Sequence, residues 1–203
     1  MGDMHATALT PIPLGSPLRA QFPILAQRIN GLPLVYLDNA ATTQMPLAVL
    51  DAMRQFETST RANIHRGVHT LSQRATDAFE NAREAVKRFV GASPAHELVF
   101  TSGTTEALNL VAQGLAHGLD GRVGAIGPGD EIIVTELDHH ANIAPWQALA
   151  RERGAVLRWV PIDLTTYRHE AGAFERLLSP RTKVVAVGAA SNILGTVSDV
   201  QAM

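Results

Sequence analysis

From Glu97 to Ala189 the chain alternates between two hydrophobic periods, and this limits its possible folds more than any other feature. Strand-like runs stand at 97–101 (ELVFT), 130–136 (DEIIVTE), 155–161 (AVLRWVP) and 183–189 (KVVAVGA). Helical patterns lie between them at about 104–116, 144–153 and 171–178. Strands joined through helices imply crossover connections and a largely parallel sheet, so the fold class is α/β. The runs IIV and VVAV are apolar on consecutive residues, as strands covered on both faces require. Upstream, Pro46 precedes Leu47, Leu50 and Met53 at helical spacing. A longer helix is expected from about Leu71 to Val90, with Ala75, Ala78, Phe79, Ala82, Val86 and Phe89 on one face.

The N-terminal part is less regular. Residues 1–17 hold three prolines and read as an extended or flexible arm. A short amphipathic helix is expected near Leu18 to Ile29, turn chemistry at Asn30 to Pro33, and a short strand at Leu34 to Leu37. The expected organisation is therefore an arm with a short helix over 1–30, followed by an α/β region over 31–203. The chain stops soon after the run at 183–189, with no helix to complete the last crossover. That ending reads as a fragment of a larger domain.

Composition excludes several function classes. The formal net charge is −2 and no long run of Lys or Arg exists, so no nucleic-acid partner is expected. The chain has no cysteine, which excludes disulfides and thiol chemistry of its own. No apolar run nears the roughly 18 residues that cross a bilayer, so no membrane partner is expected. The N-terminus lacks a basic segment followed by an apolar one, so the expected location is cytoplasmic.

The stretch TSGTTE (101–106) breaks from an apolar run into small polar residues at the mouth of a helix. Ligands in open α/β sheets bind beyond the carboxyl ends of the strands. The first amides of a helix lack intrahelical partners and carry a partial positive charge. Gly103 permits a tight turn, and Thr104 and Thr105 add hydroxyls. One reading is a phosphate cradle; the other is ordinary capping by Ser and Thr. No Lys follows as in a nucleotide-binding P-loop. Glu106, in the first helical turn, is explained by the helix dipole. Three further stretches put small or polar residues after strand-like runs: YLDNAATT (36–43), ELDHHANIAPW (136–146) and ASNILGT (190–196).

Taken with FPIL, NGLPLVYLDNAATTQMP, NIHRGVHTLSQRAT, ELVFTSGTTEALNLVA and GDEIIVTELDHHANIAPWQ, these blocks resemble, in order and spacing, the class V aminotransferase family of pyridoxal-phosphate enzymes. The likeness is strongest to its SUF-type (group II) cysteine desulfurases and runs from about Phe22 to Thr196. It implies the N-terminal portion of a three-layer, fold-type I large domain. It also implies pyridoxal 5′-phosphate as cofactor, with the phosphate on Gly103, Thr104 and Thr105, His139 stacked on the ring and Asn192 donating to the phenolic oxygen. Ala40 and Ala41 would let backbone amides approach the amino-acid substrate. Arg66 would serve its carboxylate and His65 its sulfur, though a solvated basic loop is the alternative for them. His139 and His140 together could instead cap a turn. A metal site would need more ligands than this pair supplies, so none is expected. His140 reads as structural.

The chain departs from the family pattern at Ala189, commonly His, and at Asp138, commonly Glu. The resemblance also demands groups this chain lacks: a Lys to carry the cofactor, an Asp for its ring nitrogen and a Cys to accept sulfur. Lys87 reads as lying on the exposed side of a helix. Lys183 opens a strand away from the ligand end. The expected function is the N-terminal part of a homodimeric cysteine desulfurase that turns L-cysteine into L-alanine and hands persulfide sulfur to an acceptor protein for iron–sulfur cluster assembly. This chain alone would be inactive. The alternatives are another class V enzyme, such as a selenocysteine lyase, an amino-acid lyase or an aminotransferase, or a non-catalytic remnant.

Overall fold

The computed structural model describes residues 16–94, 97–118, 124–170 and 172–201. The arm expected over 1–17 lies almost wholly outside them. The chain divides into two compact units, Met1–Leu98 and Val99–Met203.

In the first unit, prolines decide the opening. The expected helix over 18–29 does not form. Two 3-10 turns, Pro17–Gln21 and Pro23–Ala26, stand in its place, each with a proline at its start. Pro23 has no N–H to donate, which prevents one continuous helix. Two short strands follow, β1 (Arg28–Ile29) and β2 (Leu32–Pro33), paired antiparallel across the Asn30–Gly31 turn. The expected strand at 34–37 forms no ladder. The pairing is completed upstream instead, where Leu34 N donates to Gln27 O (3.0 Å).

Helix α1 (Leu47–Ser59) begins at Pro46, and helix α2 (Thr70–Phe89) begins at His69, whose Nδ1 accepts from Ser72 N (3.2 Å). Both match the expected periodicity. Their apolar stripes stay largely open: Leu47, Leu50 and Met53 of α1 are exposed, as are Leu71, Val86 and Phe89 of α2. Lys87 corrects another expectation. Its side chain is only 13% exposed and lies 3.4 Å from the Glu84 carboxylate, because its methylene stem covers apolar surface while the ammonium meets the acid one turn back.

The second unit is built around a three-stranded parallel sheet in which the strand over Glu131–Thr135 lies between the other two. Its strands are β3 (Glu131–Thr135), β4 (Val156–Val160) and β7 (Thr182–Val185). Helices α3 (Thr104–His117), α4 (Ala144–Arg153) and α5 (Ala173–Leu177) flank it. Every residue of β3 is buried. Side chains alternate across a strand, so β3 serves two cores. Ile132 and Val134 pack with Ala112, Ala116, Trp146 and Leu149 of α3 and α4. Ile133 packs on the opposite face with Val160, Ala173 and Phe174. Each buried Ile or Val contributes about 1.5–3 kcal/mol. The result is helix, sheet, helix in three layers.

A hairpin absent from the expected pattern, β5 (Ile162–Asp163) with β6 (Arg168–His169), precedes α5. Residues 97–101, expected as a strand, form no ladder, and Val99 is 65% exposed. An extended segment becomes a strand only against a hydrogen-bonding neighbour, and none of the described strands takes that place.

The amino ends of the three parallel strands meet at Glu131. Its buried carboxylate accepts from Arg158 Nη2 on β4 (2.9 Å), Arg181 Nη2 (3.0 Å) and Ser179 Oγ (2.7 Å) before β7. These donors, Ser179 first and then the two guanidinium groups, lower its pKa to about 2.

Candidate functional site

The mouth of α3 is organised by its own acid. Glu106 Oε2 accepts from both Ser102 N and Ser102 Oγ, each at 2.6 Å. These bonds, the hydroxyl's first, hold its pKa below the ordinary carboxylate value. Gly103 sits at the N-cap with φ +157°, a conformation that side-chain-bearing residues rarely adopt. Thr101 Oγ1 donates to Gly103 O (3.1 Å), which also accepts the first helical bond from Ala107 N (3.1 Å). The amides of Gly103, Thr104 and Thr105 donate to no described acceptor. A Cβ added at Gly103 would meet nothing within 4 Å. The mouth is open, lined by peptide nitrogens, and carries about half a positive charge from the helix.

His139 follows the carboxyl end of β3. It caps a single 3-10 turn, His140–Asn142, where its Nδ1 accepts from Ala141 N (3.1 Å). An accepting Nδ1 places the proton of the neutral ring on Nε2. His140 stands nearly perpendicular to it, with ring centroids 6.4 Å apart, and both rings are exposed. The turn packs against α3. Asn192 lies beyond the carboxyl end of β7, in an exposed loop closed by Ser191 N to Thr196 O (2.9 Å) and Gly195 N to Ser191 O (3.0 Å). Its side-chain amide has no described partner. Since β3 and β7 are adjacent and parallel, the loops carrying His139 and Asn192 leave the sheet at the same end.

The remaining candidates belong to the first unit. Ala40 and Ala41 are exposed in a turn over 39–41. The amides of Ala41 and Thr42 both donate to Asp38 O (3.2 and 3.3 Å), and Ala40 N donates to no described acceptor. His65 adopts φ +64°. Its amide donates to Thr76 Oγ1 (3.0 Å), its Nε2 lies 3.3 Å from Glu80 Oε1, and its ring meets Phe79 edge to face. Arg66 is exposed.

The loop before α2 is fastened rather than loose, by a residue the sequence reading passed over. Ser72 is fully buried; its Oγ accepts from Gly67 N (3.0 Å) and donates to Asn63 O (2.6 Å). The one available signal was a serine standing alone on the apolar face of a helix.

A cavity of about 280 Å³ beside the β5–β6 hairpin is lined by His169, Phe174, Thr196 and Ser198 among others, and by none of the five residues at the sheet's carboxyl end. The amides at the mouth of α3, which donate to no described acceptor, make the stronger chemical case. Among the described residues no group of three or more His, Cys, Asp or Glu side chains is arranged to hold a metal ion, and no helix is long and apolar enough to cross a membrane.

The sequence that builds this sheet and these loops matches a known family along most of the chain. The family described as Aminotransferase class-V covers residues 35–203, and the chain belongs to it. Within that class it is similar to proteins named as cysteine desulfurases. It is 49% identical to probable cysteine desulfurase 1 of Mycobacterium leprae over 89% of this chain and 28% of that protein. It is 47% identical to the probable cysteine desulfurase of Vibrio cholerae over 92% of this chain and 44% of that protein. The fold is similar to the apo cysteine desulfurase of Thermococcus onnurineus NA1, with a TM-score of 0.79 and 36% identity, covering 96% of this chain and 44% of that one. For the Escherichia coli cysteine desulfurase CsdA the TM-score is 0.70 at 38% identity, covering 89% of this chain and 42% of that one. The chain thus spans less than half the length of these relatives.

Proposed function

We propose that residues 31–203 are the first part of the cofactor-binding large domain of a pyridoxal 5′-phosphate-dependent cysteine desulfurase, with 1–30 as its leading arm. The observation that carries the reading is that the amides of Gly103, Thr104 and Thr105 donate to no described acceptor. A phosphate dianion needs several donors at once, and two threonine hydroxyls stand beside these nitrogens. The missing Cβ at Gly103 leaves room for the anion against the backbone. In this reading His139 covers one face of the ring and presents Nε2–H outward, and Asn192 donates from its side-chain amide. For Ala40, Ala41, His65 and Arg66 the role in the whole protein is toward the amino-acid substrate, with Arg66 suited to its carboxylate and His65 to its sulfur. Bound at this place, the cofactor supplies an electron sink for bonds at the α-carbon of an amino acid.

The substrate follows from the relatives' names: L-cysteine, converted to L-alanine with transfer of sulfur to a cysteine thiolate. This chain has no cysteine, so that group belongs to sequence elsewhere in the whole protein. We assign the whole protein to the cytoplasm as a homodimer that passes persulfide sulfur to an acceptor protein for iron–sulfur cluster assembly, in the SUF-type branch. The test is equilibrium binding of pyridoxal phosphate, followed by its fluorescence, together with alanine release from L-cysteine by the longest protein that carries this chain. Gly103→Val should abolish binding, because its side chain would occupy the cradle and resist φ +157°. Binding that survives this change would refute the phosphate assignment.

A further inference from the structure

The ladder between β3 and β7 ends early. Its last paired residues are Ile133 and Val185, and the last backbone bond is Ala186 N to Ile133 O (2.8 Å). Past that point no described backbone hydrogen bond joins the chain leaving β3, which carries His139, to the chain leaving β7, which carries Asn192. A side chain stands between them instead. Asp138 closes the turn after β3 through Asp138 N to Thr135 O (3.4 Å). Its Oδ2 accepts from the hydroxyl of fully buried Thr135 (2.7 Å). Its Oδ1 is seated against Gly188: a Cβ on that glycine would lie 2.5 Å from Oδ1 and 3.6 Å from Cγ. No real Cβ tolerates the first distance, and the carboxylate is held at its other end, so it cannot simply swing aside.

We propose that Asp138 is a positioning residue: its carboxylate, anchored on Thr135 and seated on Gly188, sets the spacing between the loop of His139 and the loop of Asn192. The inference rests on the reading that these two residues face one cofactor. In this role Asp138 acts only through the two loops it spaces. It replaces the finished ladder with a contact one side chain wide, and Gly188 is the only residue type that fits beneath it.

The test compares single and double substitutions in the full chain. The readouts are the ¹⁵N and ¹H resonances of the His139 ring without cofactor, and the affinity for pyridoxal phosphate. Asp138→Ala should shift the His139 ring signals and weaken binding about three- to tenfold, the size of one lost hydrogen bond. Asp138→Asn keeps an acceptor for Thr135 and should restore most of both. Gly188→Ala should be as damaging as Asp138→Ala in the natural background, yet nearly silent when combined with it, because the Cβ then occupies the emptied seat. Equal effects of Gly188→Ala in both backgrounds would overturn the proposal. Should Gly188→Ala fail to fold, Thr135→Val decides: it removes the anchoring hydroxyl at constant volume and should move His139 in the same direction as Asp138→Ala. Unmoved His139 signals in Thr135→Val would equally overturn it. A natural chain that binds no pyridoxal phosphate would defeat the functional reading alone, since the ring signals report the spacing without cofactor.

Discussion

The two units contain helices of similar quality but cores of very different quality. In Val99–Met203, β3 is buried along its whole length and feeds a cluster on each face. In Met1–Leu98, the 20-residue α2 buries only Ser72 and Ala75. Phe89, on the same helix, is 91% exposed. Periodicity therefore secures an element without securing its partner. A helix satisfies its backbone hydrogen bonds within its own segment, whereas its apolar stripe is satisfied only when another surface covers it.

This contrast can be broken at several points. The largest effect belongs to the sheet. Ile132→Ala should cost about 2–5 kcal/mol in chemical denaturation, since it empties a site with no solvent access. A loss below 1 kcal/mol would mean that β3 is not the centre it looks to be. Ser72→Ala comes next, at about 1–3 kcal/mol, because it leaves Gly67 N and Asn63 O unpaired. Faster amide exchange confined to residues 63–69 is its expected signature; uniform acceleration along α2 would contradict the latch.

The third test uses acid. Glu131 titrates at about 2 in the folded chain against an ordinary 4.5, so the ionised carboxylate favours folding. That contribution is complete above pH 4.5 and disappears as the pH falls through about 2. Glu131→Gln should be less stable than the natural chain at neutral pH, and the gap should shrink steadily as the pH approaches 2. Parallel acid-denaturation curves would show that the network contributes nothing. The smallest effect belongs to α2. Phe89→Ala should change stability by less than about 0.5 kcal/mol, and a larger loss would reveal that Phe89 is covered in solution.

The same contrast explains what could be read from the residues. The parallel strands at 131–135, 156–160 and 182–185 were legible because runs such as IIV and VVAV fit only a strand covered on both sides. Helices α1 to α4 were legible from their spacing. The strands expected at 34–37 and 97–101 were not found. Their residues suit an extended chain, but pairing depends on a neighbour that local sequence does not specify. The helix expected over 18–29 yielded to Pro17 and Pro23, whose effect on its interior outweighed the apolar spacing. The candidates at the sheet's carboxyl end stood out because Gly, Thr, His and Asn cluster after apolar runs. Ser72, Glu131 and Thr135 stayed hidden, since a lone serine and two strand-end residues look ordinary until their partners, up to 50 residues away, are known; Asp138 stood out only as a departure from the family pattern.

One strand, β3, is fastened ionically at its first residue and opens into the polar loops at its last. Heritable change can therefore act on the two ends separately. Under the proposed reading, substitutions beyond Thr135 can retune which small molecule is handled, while the guanidinium grip on Glu131 keeps three strands aligned without taking part in that choice.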